Sequence, residues 1–340
     1  MSTSRVDAFQ QRHRWAGFPL AVFYKFVDDQ GGYLAALVTY YAFLSLFPLL
    51  LLLSSVLNVV LRGNPALAQR LLDSALGQFP LVKDQLGAPG SLHGSGLGLT
   101  LALLTAVYGS LGVAQAVQNA MNTAWGVPKN KRPNPLLVRG RSLLLLLTSG
   151  LTIIVTTVLS GISSTGSAFG TDLGTVVQAL VVLLSVLLNA GICVLGFRIA
   201  TALPQPLRVV LPGALAAAML WQVLQSFGVT YVQHVVKGAD ATSGVFAFVL
   251  GLIAWLYLGS LSLVLCVEAN VVRTRHLYPR SLLTPFTDAV DLTRGDQLAY
   301  TQAAAAQRAK GFETVDVTFK HDGQNATALD QARRAGPPAP

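Results

Sequence analysis

Only one acid enters the apolar runs of this chain, and it is Glu268. Counted from Val245, about twenty residues of helix are used up near Val264, which puts Glu268 roughly one turn beyond a hydrocarbon core. Arg198 falls at a similar depth on another apolar run. An ion pair or a snorkelling carboxylate is one chemistry open to such a pair, and a proton relay is the other. Gln115, Gln118, Asn122 and Asn270 fall on the same side, so together with Glu268 and Arg198 they make a candidate polar vestibule. Deeper amides are Asn58, Gln178, Asn189, Gln222 and Gln225, the last two sharing a helical face next to Ser226. Amides in apolar surroundings must hydrogen bond, either across helices or to something that passes.

A second constellation is Tyr41, Ser45 and Pro48, which share one face of a helix. Proline has no amide proton and pushes against the carbonyl four residues back, so Pro48 frees the Leu44 carbonyl unless Ser45 or a neighbouring helix bonds it. A packing kink and a hinge lining a path both fit. No catalytic constellation accompanies these groups. His13, His93, His234, His276 and His321 are scattered outside the apolar runs, Cys193 and Cys266 lie inside them, and no HExxH, CxxC or phosphate-loop pattern occurs. The expectation is a protein that is not an enzyme and holds no metal or cofactor.

The elements that must carry these residues are helices in lipid. Of 340 residues 52% are hydrophobic and 11% charged, well short of the roughly 25% charged residues of soluble domains. The fold class expected is all-α, a polytopic transmembrane helical bundle of about six spans with short interfacial helices. The spans are placed at about 33–60, 97–120, 142–162, 175–196, 209–231 and 243–267. The first apolar run, Gly31 to Leu61, has no charge at all and is too long and too late for a cleaved signal peptide.

Residues 1–30 read as a leader whose cations and aromatics suit a helix at the headgroup level, among them Arg5, Arg12, Arg14, Lys25, Trp15 and Phe23. A surface amphipathic helix is expected over Leu67 to Phe79. Trp125 marks an interface where the second span leaves the membrane. Residues 31–275 form the membrane domain and 276–340 a cytoplasmic, largely flexible tail, with a short helix over Leu298 to Lys310 and a strand over Glu313 to Lys320. With this topology twenty of the 24 Lys and Arg fall on the side of both termini. That bias sets both termini in the cytoplasm and accounts for most of the net charge of +9 without nucleic acid.

Three passages, GYLAALVTYYAFLSLFPLLLLL, MNTAWGVPKNKRPNPLLVRGRSLLLLL at 121–147 and GVFAFVLGLIAWLYLGSLSLVLCVEANVV at 244–272, resemble the YihY/BrkB family of bacterial inner-membrane proteins. The likeness covers roughly residues 20 to 275. It implies six spans in the bacterial cytoplasmic (inner) membrane and supplies no catalytic residues. Members once carried the label ribonuclease BN, which the lack of a metal or acid–base cluster gives no reason to revive. Others are linked to serum resistance and to envelope or lipopolysaccharide export. On that basis Tyr41, Ser45, Pro48, Asn122, Trp125, Trp255, Glu268 and Asn270 are the first positions to mutate.

Three functions compete. Transport or translocation of a lipid, envelope precursor or small solute draws on the kinked first span and the buried amides. It lacks a charge at mid-membrane and an ATP motif, so passive or partner-driven movement fits it better than pumping. A noncatalytic scaffold of envelope assembly needs only small-residue contact faces and a tail, and a membrane-embedded hydrolase would need groups not found here. The partners expected are membrane lipids, with anionic headgroups at the cytoplasmic face, envelope-assembly proteins and further copies of the chain.

Overall fold

The computed structural model describes residues 2–60, 96–134, 136–145, 174–231, 241–287 and 290–319. Among these residues the chain is helical, without strands. Two short helices, α1 (Ser2–Arg12) and α2 (Arg14–Asp28), lead into α3 (Gly31–Val60). There follow α4 (Gly96–Ala124), a helical stretch at 136–145, α5 (Gly174–Ala200), α6 (Leu207–Tyr231), α7 (Ala241–Arg275) and the terminal α8 (Arg294–Ala306). The long helices coincide with five of the six apolar runs, while the run at 142–162 is described only to residue 145. Two described stretches are long and apolar enough to cross a membrane, Leu207–Gln225 and Phe246–Arg275, and Gly31–Leu46 and Val186–Ala200 are shorter apolar helices. Residues 67–79, with their expected surface helix, lie outside the described residues.

α7 is the hub, since it packs against α2, α3, α4 and α6. α3 lies along α4 because Gly109 and Gly112 present no side chain: a Cβ at either would overlap Ser45 or the Tyr41 ring. Large side chains such as Leu180, Leu183, Leu220, Phe227, Phe246 and Leu250 point outward instead. An apolar exterior on helices of this composition suits hydrocarbon rather than water.

The buried core is gathered at one end of the bundle, where Met121, Trp125, Phe197, Val210, Val267, Val271 and Leu277 meet. The leader and the residues after 276 close that end together. Arg280 is fully buried between the Tyr24 and Tyr300 rings and pairs with Asp296 and Asp28. Gln10 donates to the Arg280 carbonyl, Tyr24 to the Leu282 carbonyl, and Asp7 accepts from the Leu282 amide. Thr293 and Asp296 form a capping box that starts α8.

Four sequence expectations are thereby corrected. Residues 277–306 are not a loose tail but part of the packed end, because Arg280 and Asp296 satisfy each other only if α8 docks. The leader does not merely lie on a surface, since Ala21, Tyr24 and Lys25 are buried. The segment 313–319 is irregular rather than a strand, with no neighbouring strand to pair with among the described residues. Trp125, too, is core at 3% exposure, not an interface marker.

Candidate functional site

The site begins with a single lysine at the end of α2. Lys25 stands in the last turn, four residues before Asp29, so one helical turn brings ammonium and carboxylate together. Its Nζ also donates to the Ala124 carbonyl at 3.2 Å, at the carbonyl-rich end of α4. From α7 comes Glu268, fully buried, with Oε2 at 3.5 Å from Lys25 Nζ. Neither Glu268 oxygen has a hydrogen-bond partner among the described residues. Two carboxylates from different elements thus share one ammonium.

Electrostatics follow from that sharing. Burial alone would lower the Lys25 pKa, but Glu268 and Asp29 together outweigh it and hold the ammonium above its ordinary value. Asp29 is pushed upward by burial, against the pull of Lys25. A pair of carboxylates with one cation carries a surplus negative charge that a proton or a passing cation can neutralise.

Above the triad opens a cavity of about 560 Å³, within the size range of small-ligand sites. Lys25, Asp28 and Asp29 line it from α2, Thr123, Lys129 and Arg132 from the end of α4 and the loop beyond, and Tyr300, Gln302 and Gln307 from α8. Arg132 is held in place by Asn119 and by the Val127 carbonyl. The wall is therefore charged with both signs.

The residues singled out in the sequence are dispersed by the fold. Glu268 pairs with Lys25, not with Arg198, which is exposed on α5. Gln115 is exposed as well. Gln118 donates to Ser142 and to the Val138 carbonyl, and Asn122 accepts from the Ala202 amide. Those amides tie helices together and do not line a common vestibule. Asn270 makes the strongest such tie: its amide oxygen accepts from Gly213 N–H and its nitrogen donates to the Val210 carbonyl. Pro212 interrupts the start of α6, and Arg273 completes the repair by donating to the Arg208 and Val209 carbonyls.

Tyr41 and Ser45 form the face that packs on Gly112 and Gly109 of α4. The Ser45 hydroxyl donates to the Ala42 carbonyl rather than to Leu44. The Pro48, Asn58, Gln178 and Ser226 side chains lie outside the described residues. Asn189 lines a groove of about 140 Å³ with Trp221, Gly259 and Ser262, whereas Gln222 and Gln225 are half-buried on α6 and line neither this groove nor the larger cavity. Trp255 donates to the Leu224 carbonyl and stacks at a tilt against Trp221.

Sequence reasoning missed Lys25 and Asp29 as partners of Glu268. The signal was present in the i, i+4 spacing of Lys25 and Asp29 just before the first apolar run, and in the need of a solitary buried carboxylate for a cation. It missed Arg280 and Asp296 because nothing local marks a residue as the partner of another 16 positions away.

The Virulence factor BrkB family model matches residues 22–287, and the chain belongs to that family of membrane proteins. The match includes Lys25, Asp28, Asp29 and Glu268, and it stops short of α8. No curated protein and no solved structure matches the chain.

Proposed function

We propose that this BrkB-family protein moves a small polar or headgroup-bearing molecule, a lipid, envelope precursor or solute, across the bacterial inner membrane. In this reading the helices make six spans with both termini in the cytoplasm, and the cavity over Lys25, Asp29 and Glu268 is the cytoplasmic chamber of the path. The observation that carries it is Glu268, a wholly buried carboxylate that shares one ammonium, Lys25 at 3.5 Å, with Asp29. Burying such a charge costs on the order of several kcal/mol, which a share of one ammonium offsets only in part and which a purely structural position would avoid with an apolar residue. A charge kept at that cost beneath an open chamber is suited to a step in which a proton or a cationic group supplies the rest of its compensation.

Gln118, Asn122 and Asn270 close helix contacts, so this reading places entry at the end chamber, with Lys25, Asp29, Lys129 and Arg132 as the groups that meet the substrate.

A noncatalytic scaffold is the second reading, favoured by the interlocked leader and α8. Proteoliposome flux separates the two. Transbilayer movement of headgroup-labelled lipids or entrapped solutes should exceed that of empty vesicles and fall with Glu268→Gln at unchanged thermal stability. Folded protein that moves none of them, and crosslinks to a fixed partner instead, would decide for the scaffold.

A further inference from the structure

On the other side of α8 lies a second cavity, of about 610 Å³, and its charges are all of one sign. Four arginines line it, Arg12 and Arg14 from the leader, Arg275 at the end of α7 and Arg294 at the start of α8, and no carboxylate does. Arg275 is already engaged, donating to Gln302 and to the Trp125 carbonyl. Arg12, Arg14 and Arg294 have no carboxylate partner among the described residues. Two nearby acids are spent elsewhere: Asp7 accepts from Gln10, Gln11 and the Leu282 amide, and Asp296 holds Arg280.

Helix ends of both signs meet at this cavity, α1 and α7 ending there and α2 and α8 beginning there, so its field is set by the arginines. Arg14 is steadied over the Tyr278 ring at 6.0 Å, which limits the freedom it would lose on binding. Clustered guanidiniums with unused donors match the tetrahedral oxygens of phosphate, which a point charge such as lysine matches less well.

We infer that this cavity binds a phosphate monoanion or dianion, either free or as the phosphate of an anionic lipid headgroup. The site is separate from the chamber over Glu268 and stands whether or not anything crosses the membrane. Arg12, Arg14 and Arg294 supply the binding charge, and Arg275 fixes the wall.

The test is equilibrium binding to the purified full chain in zwitterionic detergent, by calorimetry, with inorganic phosphate, glycerol 3-phosphate and short-chain phosphatidylglycerol as probes. Binding of the first two identifies a free phosphate as sufficient, and binding of the third alone identifies the headgroup. Each of Arg12→Gln, Arg14→Gln and Arg294→Gln should weaken the bound probe by roughly tenfold, and the triple variant should abolish binding. All three side chains are exposed, so the variants keep the fold, which an unchanged melting temperature verifies. Arg139→Gln, an exposed arginine outside the cavity, should change nothing. Failure of all three probes, an unaffected triple variant, or an equal loss with Arg139→Gln would overturn the proposal.

Discussion

The two cavities at the closed end of the bundle share α8 as a wall and differ in how their charge is settled. In the chamber over Glu268, cations and acids are interleaved, and the one lysine is divided between two carboxylates. In its neighbour, arginines stand without acids. The charged residues of the first, Lys25, Asp28, Asp29, Lys129 and Arg132, lie within the matched 22–287, while Arg12, Arg14 and Arg294 of the second lie outside it. The difference teaches that a membrane bundle can keep a buried charge set in which acids and cations are interleaved and carry an acid-free, surface-accessible one beside it. Burial demands balance, because an unpaired charge there has no water to turn to. Exposure does not.

Removing the common wall should have the largest effect. Arg280→Ala leaves Asp296 buried without a cation and frees the α8 start from the leader. A loss of about 3–5 kcal/mol is expected for one partner of a buried pair. Thermal unfolding should shift strongly downward and phosphate binding should vanish with it. If stability falls but phosphate binding survives, α8 is not a wall of the basic cavity, and the comparison fails.

Next in size is the balance of the triad itself. Lys25→Met strands two buried carboxylates and should cost more than Glu268→Gln, which removes the group that already lacks donors. The double variant should recover part of the Lys25→Met loss, giving a coupling of about 1–3 kcal/mol in a double-mutant cycle. Additive effects would mean that the 3.5 Å approach of Lys25 to Glu268 contributes nothing. Neither variant should alter phosphate affinity in the second cavity.

A substitution remote from both cavities sharpens the contrast further. Gly213→Ala would drive a Cβ into the Asn270 amide and the Cys266 carbonyl, with backbone on one side that cannot yield. Overpacking of that kind costs about 1–3 kcal/mol. The melting temperature should drop while phosphate affinity stays unchanged at temperatures where the chain is folded. A selective loss of binding would show that the α6–α7 contact reaches the basic cavity after all.

What the sequence made legible was the helical layout and the family. Apolar runs are long, and helix is the only way their backbone can be satisfied, so α3, α4, α5, α6 and α7 fall where hydropathy put them. The site was half legible. Glu268 stood out because a lone acid in an apolar run is costly, yet its partner was assigned to Arg198 from matching depth alone. Depth places a residue along the membrane normal and says nothing about which way round the bundle it faces. Lys25 was read as facing lipid headgroups because cations and aromatics mix in the leader, a composition that a packed helix end shares. The amides Gln118, Asn122 and Asn270 were grouped by side, whereas Gln118 ties to the helix at 136–145, Asn122 to the turn after α5 and Asn270 to the start of α6 around Pro212. Pairings over long separations, such as Arg280 with Asp28, leave no periodic trace in the chain.

The smallest effect expected lies in alkali, and it distinguishes the two cavities by chemistry rather than by geometry. Glu268 and Asp29 raise the Lys25 pKa above its ordinary 10.5, so the folded state holds that proton more tightly than the unfolded chain does. A raised pKa of this kind contributes stability in full below the unfolded value and loses it as the pH climbs through the folded one. The contribution should therefore be complete up to about pH 10 and decline above it. Arginine does not titrate in that window, so the basic cavity should keep its charge throughout. Chemical denaturation from about pH 9 to about pH 12, compared between the unaltered chain and Lys25→Met, isolates the lysine, because every other group titrates in both. The stability difference between the two should narrow with rising pH. A difference that stays constant would mean that the ammonium gains nothing from the two carboxylates beside it, and the chamber would then be no more balanced than its neighbour.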